Sequence, residues 1–163
     1  MPRPAPMDQP LNFHHIGFVV AEIAATVEGF TRSLGAQWDG CVYDDPQQRV
    51  KVTFLSTRPG DPLIELVEPA GEGSPVLRFL REKGSGLHHV CYEVDDLERS
   101  MAEMKACGAM VARRPKPAVA FQGRRIAWML TAEKLLVELL EKGREELNKP
   151  PMNADKSFES AFG

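Results

Sequence analysis

Two histidine pairs and two glutamates carry most of the chemistry open to this 163-residue chain. Phe13-His14-His15-Ile16 returns downstream as Leu87-His88-His89-Val90. Leu63-Ile64-Glu65-Leu66 returns as Leu136-Val137-Glu138-Leu139 at nearly the same offset. Side chains alternate across a strand, so His15 shares a face with Gly17 and Val19, and His89 with Cys91 and Glu93. Glu65 and Glu138 each interrupt an apolar run, where an ionised carboxylate is costly to bury unless paired or bound to a cation. Each copy of the repeat therefore supplies one His and one Glu. If the copies pair about a pseudo-twofold axis, His15, Glu65, His89 and Glu138 converge on one divalent cation. Two imidazoles and two carboxylates suit Zn, Ni, Co, Mn or Fe, and the lack of a thiolate argues against a structural zinc cage. By the same alternation His14 and His88 fall on the opposite strand face and read as outer-surface residues.

A cation with open positions can chelate two oxygens of one substrate. It then stabilises the negative charge that develops when the C–H proton between them is removed. Glu65 and Glu138 are the candidate catalytic residues. Placed on opposite sides of the metal, one could deprotonate one face of a planar intermediate while the other reprotonates the opposite face, a geometry that would permit epimerisation, with either Glu loosening from the metal to act as a base. Other chemistry-bearing residues have plainer readings. Cys91 suits a small apolar core position. Arg113, Arg114, Lys116, Arg124 and Arg125 surround one loop and suit either an anionic group of a substrate or a solvated surface. Trp38 and Trp128 read as packing or pocket wall.

The elements that must hold these residues follow from periodicity. Phe13 to Val20 and Leu87 to Val94 are β-rich runs. After each the period changes: Ile23, Val27, Phe30 and Leu34, then Leu97, Met101 and Met104, mark one helix face. Gly35 and Gly108 stop these helices, and Asp95 with Glu98 suggests an N-cap pair for the second. Three strands follow in each copy, near 37–43, 50–56 and 63–68, then near 110–114, 125–130 and 135–140. The reading is an α+β fold of two tandem βαβββ modules, 12–70 and 87–142, forming an open barrel-like cavity with helices outside. A linker helix at 71–86 joins them, with Ser74 as N-cap and Pro75 as its first residue. Residues 1–11 are expected to be disordered. Residues 143–163 form a C-terminal tail, with a helical turn at 144–148 and with Phe158 and Phe162 in solvent.

Composition narrows the function. The net charge is −3 with no large basic field, which disfavours nucleic acid or an anionic membrane as partner. No apolar stretch is long enough to span a bilayer, and the proline-rich start lacks the apolar core of a secretory signal. Three cysteines without a C-x-x-C pattern read as free thiols of a cytoplasmic protein.

On His15-Ile16-Gly17, Ile64 to Pro69, Ser74-Pro75 through Leu80, Gly86 to Cys91 through Val94-Asp95-Asp96-Leu97, and Leu136 to Leu139, the chain resembles the vicinal oxygen chelate (glyoxalase/bleomycin resistance) superfamily. Within it the chain is most similar to the methylmalonyl-CoA epimerase family, over roughly 12–142. The Gly-Leu-His-His stretch ahead of Val-Asp-Asp is the most specific part. The resemblance implies metal ligands at His15, Glu65, His89 and Glu138 and one divalent ion such as Co, Ni, Zn or Mn. It further implies a metal-dependent epimerase or isomerase, a small-molecule substrate such as an acyl-CoA thioester, and a homodimer. A glyoxalase I-like lyase shares the ligand set and is the alternative. A metal-free drug-binding protein of the same fold has no need of four aligned ligands, and an extradiol dioxygenase-like iron site uses only two His and one carboxylate. Three places depart from the epimerase pattern. Thr131–Lys134 replaces a longer glycine-rich turn, the loop Pro115–Gly123 carries two prolines, and Val52 stands where some bacterial epimerases carry an acidic residue.

Overall fold

The computed structural model describes residue 3 and residues 5–143. The first module runs β1 (Asn12–Val19), α1 (Ile23–Leu34), β2 (Gln37–Trp38), β3 (Tyr43–Asp45), β4 (Val50–Ser56) and β5 (Leu63–Pro69). After α2 (Leu77–Lys83) the second runs β6 (Gly86–Val94), α3 (Leu97–Ala106), β7 (Met110–Pro117), a 3-10 turn (Val119–Phe121), β8 (Arg125–Leu130) and β9 (Leu136–Glu141).

The strands join one mixed sheet in the order β2-β4-β5-β1-β6-β9-β8-β7, with β3 also on β4. β1 is parallel to β5 and β6 to β9, while β1 and β6 meet antiparallel at the centre. The sheet stays open at β2 and β7, as the α+β reading of two modules around an open cavity expects.

Each half buries two layers. Towards the helices, Ile23 and Val27 of α1 pack on Val20, Leu55 and Leu66, and Leu97 and Met104 of α3 on Ala127, Met129 and Leu139. Each fully buried Leu of this kind contributes about 2 kcal/mol. On the other face, Val19, Val50, Val52, Val67 and Val76 form one apolar wall, and Cys91, Ala118, Phe121, Ile126 and Leu140 form another. The strand alternation that creates the helix-facing layer thus also lines the cavity.

Local chemistry sets the element ends. Gly35 closes α1 in the left-handed region at φ 64°. The cap of α3 is Asp96, not Asp95: its side chain accepts from the Arg99 N–H at 2.9 Å, and Glu98 pairs instead with Arg125. Ser74 does not cap α2, which starts at Leu77 after Val76. Ser74 lies in a preceding turn whose carbonyl accepts from the Leu77 N–H. The strand expected at 37–43 is split into β2 and β3 because the Asp39 carboxylate accepts from the Cys41 N–H and Gly40 turns at φ 84°.

Ahead of β1, in the segment expected to be disordered, Met7 packs on the α3 cluster and the Asp8 and Gln9 N–H groups donate to Glu103. Residues 144–163, with the turn expected at 144–148 and with Phe158 and Phe162, lie outside the described residues. Among the described residues no helix is long and apolar enough to cross a membrane.

Candidate metal centre

The four central strands, β5, β1, β6 and β9, each bring one side chain to a common point. Glu65 and His89 both lie opposite Gly17, while His15 and Glu138 both lie opposite Cys91. The pairing obeys the pseudo-twofold relation of the repeat. His15 Nε2 and His89 Nε2 stand 3.3 Å apart, and Glu65 Oε2 is 3.2 Å from each. Glu138 is set back, with Oε1 3.8 Å from His15 Nε2 and Oε2 3.9 Å from His89 Nε2. All four residues are buried, none more than 5% exposed.

These residues fit a divalent cation on their own chemistry. Their donors are two imidazole nitrogens and two carboxylates, all buried and facing one another. Glu138 Oε1 is buried and has no hydrogen-bond partner. A buried carboxylate oxygen left so is costly, and a cation would satisfy it. Electrostatics separates the two carboxylates. Burial works to raise the Glu65 pKa, but the His15 and His89 imidazoles outweigh it and hold the carboxyl well below the usual range. Burial, then the Glu65 charge, raises that of Glu138. Burial opposes charge on His15, yet Glu65 and Glu138 together raise its pKa.

Room for this arrangement comes from Gly17. A Cβ there would collide with His89 Cε1, so only glycine lets the His89 ring into the centre. A lone glycine inside an apolar strand signals such a close approach. Its counterpart in the second module is Cys91, which is fully buried. Burial, then Glu138 and Glu65, pushes the Cys91 thiol up, so it stays protonated and acts as a packing group.

His14 and His88 are not outer-surface residues. His14 Nδ1 lies 2.8 Å from His15 Nδ1, and His88 Nδ1 lies 2.9 Å from His89 Nδ1. The register explains the departure. Phe13 faces Tyr92 while His15 faces Cys91, leaving His14 as an extra residue in β1; Gly17 faces His89 while Phe18 faces Leu87, leaving His88 as an extra residue in β6. Each is a β-bulge, which interrupts strict alternation and redirects a side chain.

The centre opens into a cavity of about 230 Å³, walled mainly by apolar side chains that include Val50, Val52, Val67, Ile126 and Trp128. Phe121 stacks on His15 with centroids 5.9 Å apart, and Trp128 meets His89 edge-on at 4.6 Å. The loop carrying Phe121 is tied to the first module by the buried Asp45. Its carboxylate accepts from the Gln47, Gln48 and Val119 N–H groups. Of the basic cluster, Arg113 lines the cavity, whereas Arg124 pairs with Glu93 and Arg125 with Glu98 and Glu141. Trp38 is apart from the centre and donates to Thr53 Oγ1. Phe121 and Asp45 carry no advance signal in the sequence, because their roles depend on how the loop closes.

Comparison with known proteins gives a consistent picture. The model of the glyoxalase/bleomycin resistance protein/dioxygenase superfamily matches residues 14–128. The chain is 33% identical to the ethylmalonyl-CoA/methylmalonyl-CoA epimerase of Cereibacter sphaeroides over 71% of this chain and 85% of that protein. The structure of methylmalonyl-CoA epimerase from Mycobacterium tuberculosis superimposes with a TM-score of 0.74 at 22% identity, covering 90% of this chain and 99% of that one, and so shares the fold. A variant of the Streptomyces coelicolor methylmalonyl-CoA epimerase, in complex with 2-nitronate-propionyl-CoA, superimposes with a TM-score of 0.69 at 25% identity over 82% and 99% of the two chains.

Proposed function

The chain belongs to the glyoxalase/bleomycin resistance protein/dioxygenase superfamily, and from that premise we propose that it is a metal-dependent epimerase of a 2-methylmalonyl-CoA-like thioester. The observation that carries the reading is the convergence of His15, Glu65, His89 and Glu138 from four adjacent strands at the floor of an apolar cavity. The likeness to an ethylmalonyl-CoA/methylmalonyl-CoA epimerase supports the substrate class.

All four side chains would hold one divalent ion such as Co, Ni, Zn or Mn, which would supply Lewis-acid stabilisation of the negative charge that develops on the substrate. Glu138 is the better base: it is set back from the imidazoles with Oε1 unpartnered, and it would loosen from the ion to take the proton. Glu65, held between both imidazoles, is the candidate to exchange a proton on the opposite face. The apolar wall of Val50, Val52 and Val67 receives the alkyl branch and keeps bulk water from the carbanion face. Arg113 at the cavity lining suits an anionic part of the substrate. A homodimer in the cytoplasm completes the proposal, and sedimentation at micromolar concentration tests the dimer.

The decisive experiment loads the protein with Co or Mn and incubates it with methylmalonyl-CoA in deuterated water. Deuterium should enter the α-carbon at a catalytic rate and be lost in Glu138→Gln with the metal still bound. No exchange in the loaded wild type overturns the epimerase reading. A parallel arm with methylglyoxal and a thiol, read as thioester formation, tests the glyoxalase alternative.

A further inference from the structure

We propose that His14 and His88 are positioning residues that each hold the Nδ1–H of the adjacent histidine, His15 or His89, and thereby fix the ring whose Nε2 faces the centre. This rests on the metal reading above and adds to it a role for two residues outside the donor set.

The geometry makes the case twice. In a regular strand neighbouring side chains point to opposite faces, and rings at successive positions do not meet. Here both histidine pairs meet through their Nδ1 atoms, at 2.8 and 2.9 Å, with ring planes 78° and 90° apart. Each contact requires a bulge, and the two bulges sit on the two strands of the central pair at the residue before each inner histidine. A bulge takes a residue out of the hydrogen-bonded ladder, so its repetition at symmetry-related places marks a feature the site uses.

Proton placement then follows. An imidazole whose Nε2 lone pair faces a cation carries its proton on Nδ1. That N–H donates to Nδ1 of His14 or His88, whose own proton must sit on Nε2. Metal-binding histidines are ordinarily oriented by such a donation to a carboxylate, a carbonyl or a water. In this protein a second imidazole takes that part in each module. The outer rings are themselves seated: His14 meets Phe121 edge-on at 5.6 Å, and His88 meets Phe79 at 5.1 Å and Trp128 at 6.1 Å.

The test uses His14→Leu, His14→Asn, His88→Leu and His88→Asn in the full chain. Asparagine places its amide oxygen near the lost Nδ1 and can accept; leucine has a similar shape and cannot. Co(II) affinity is measured by competition with a chromophoric chelator, and the paramagnetically shifted Nδ1–H resonances by proton NMR. Each leucine variant should bind Co(II) about 10–100-fold more weakly and lose one Nδ1–H resonance to solvent exchange. Each asparagine variant should recover most of the affinity and keep the resonance. Leucine variants that bind as tightly as wild type, or asparagine variants as weak as leucine, overturn the proposal while leaving the metal reading intact. A wild type that binds no Co(II) overturns both.

Discussion

Glu65 and Glu138 occupy the same place in their modules and face the same two imidazoles, yet they are different acids. Glu65 sits 3.2 Å from both Nε2 atoms, and its charge is favoured. Glu138 stands at 3.8 and 3.9 Å with one oxygen unpartnered, and its charge is disfavoured. The strand residues opposite them differ as well: a glycine in the first module makes space for a ring, and a cysteine in the second fills it. A nearly symmetric repeat thus acquires chemically unequal halves through small changes beside the donors.

The largest effect expected from breaking this comparison is at Gly17. Gly17→Ala drives the new Cβ into His89, and a displacement of about 1 Å at a reacting centre lowers turnover about 100-fold. Cys91→Ala, at the matching place, should keep full metal stoichiometry and cost about 1–2 kcal/mol of packing. Metal content after dialysis and thermal unfolding of the two variants decide it. Equal metal retention in both would show that the glycine is not what admits His89.

Next come the glutamates in metal-free protein. Glu138→Gln removes a disfavoured buried charge beside Glu65 and should raise the melting temperature at pH 8. Glu65→Gln removes the partner of two imidazoles and should lower it. At about 1 kcal/mol each, the shifts are about 2–4 °C and of opposite sign in scanning calorimetry. Shifts of the same sign would erase the distinction between the modules.

The same groups set a pH dependence. Glu138 and His15 have raised pKa values, so the folded metal-free chain holds protons that the unfolded chain releases; that stability is present at lower pH and lost as pH rises through the folded values. Glu65, with its pKa lowered, contributes stability above its unfolded value that is lost only in strong acid. Metal-free protein should therefore lose stability as pH rises above about 6.5, the ordinary imidazole value, and bound Zn should flatten that slope. Melting curves across this range that rise with pH for the metal-free chain would contradict the assignment.

The smallest effect concerns the helices. The first N–H of α1 donates to Glu68 of β5, far along the chain, while α3 is capped locally by Asp96. Asp96→Ala should cost about 1 kcal/mol in denaturant unfolding. Glu68→Gln, which keeps an acceptor, should cost less.

How much of this was legible depended on what each feature obeys. The repeat, the helix faces and the placing of His15, Glu65, His89 and Glu138 on the central strands all follow regular periods, so alternation found them. Alternation alone puts His14 and His88 on the outer face, because a bulge is one residue of irregularity in the pairing of two distant strands and neither strand shows it alone. The Asp95/Asp96 shift had a similar origin: two adjacent carboxylates suit the cap, and the backbone geometry selects one. Phe121 and Asp45 came together only through closure of a loop across the cavity.

The central pairing of β1 with β6 has a consequence for how the protein comes into being. A chain synthesised only through α2 would contain His15 and Glu65 but not the strands that bring His89 and Glu138 to them. The contacts that create the centre are among the most distant in the sequence, and such contacts must first meet the entropic cost of closing long loops. Capture of a metal ion would therefore report that both halves have been made, folded and joined, and a fragment of either half would compete poorly for scarce metal in the cell.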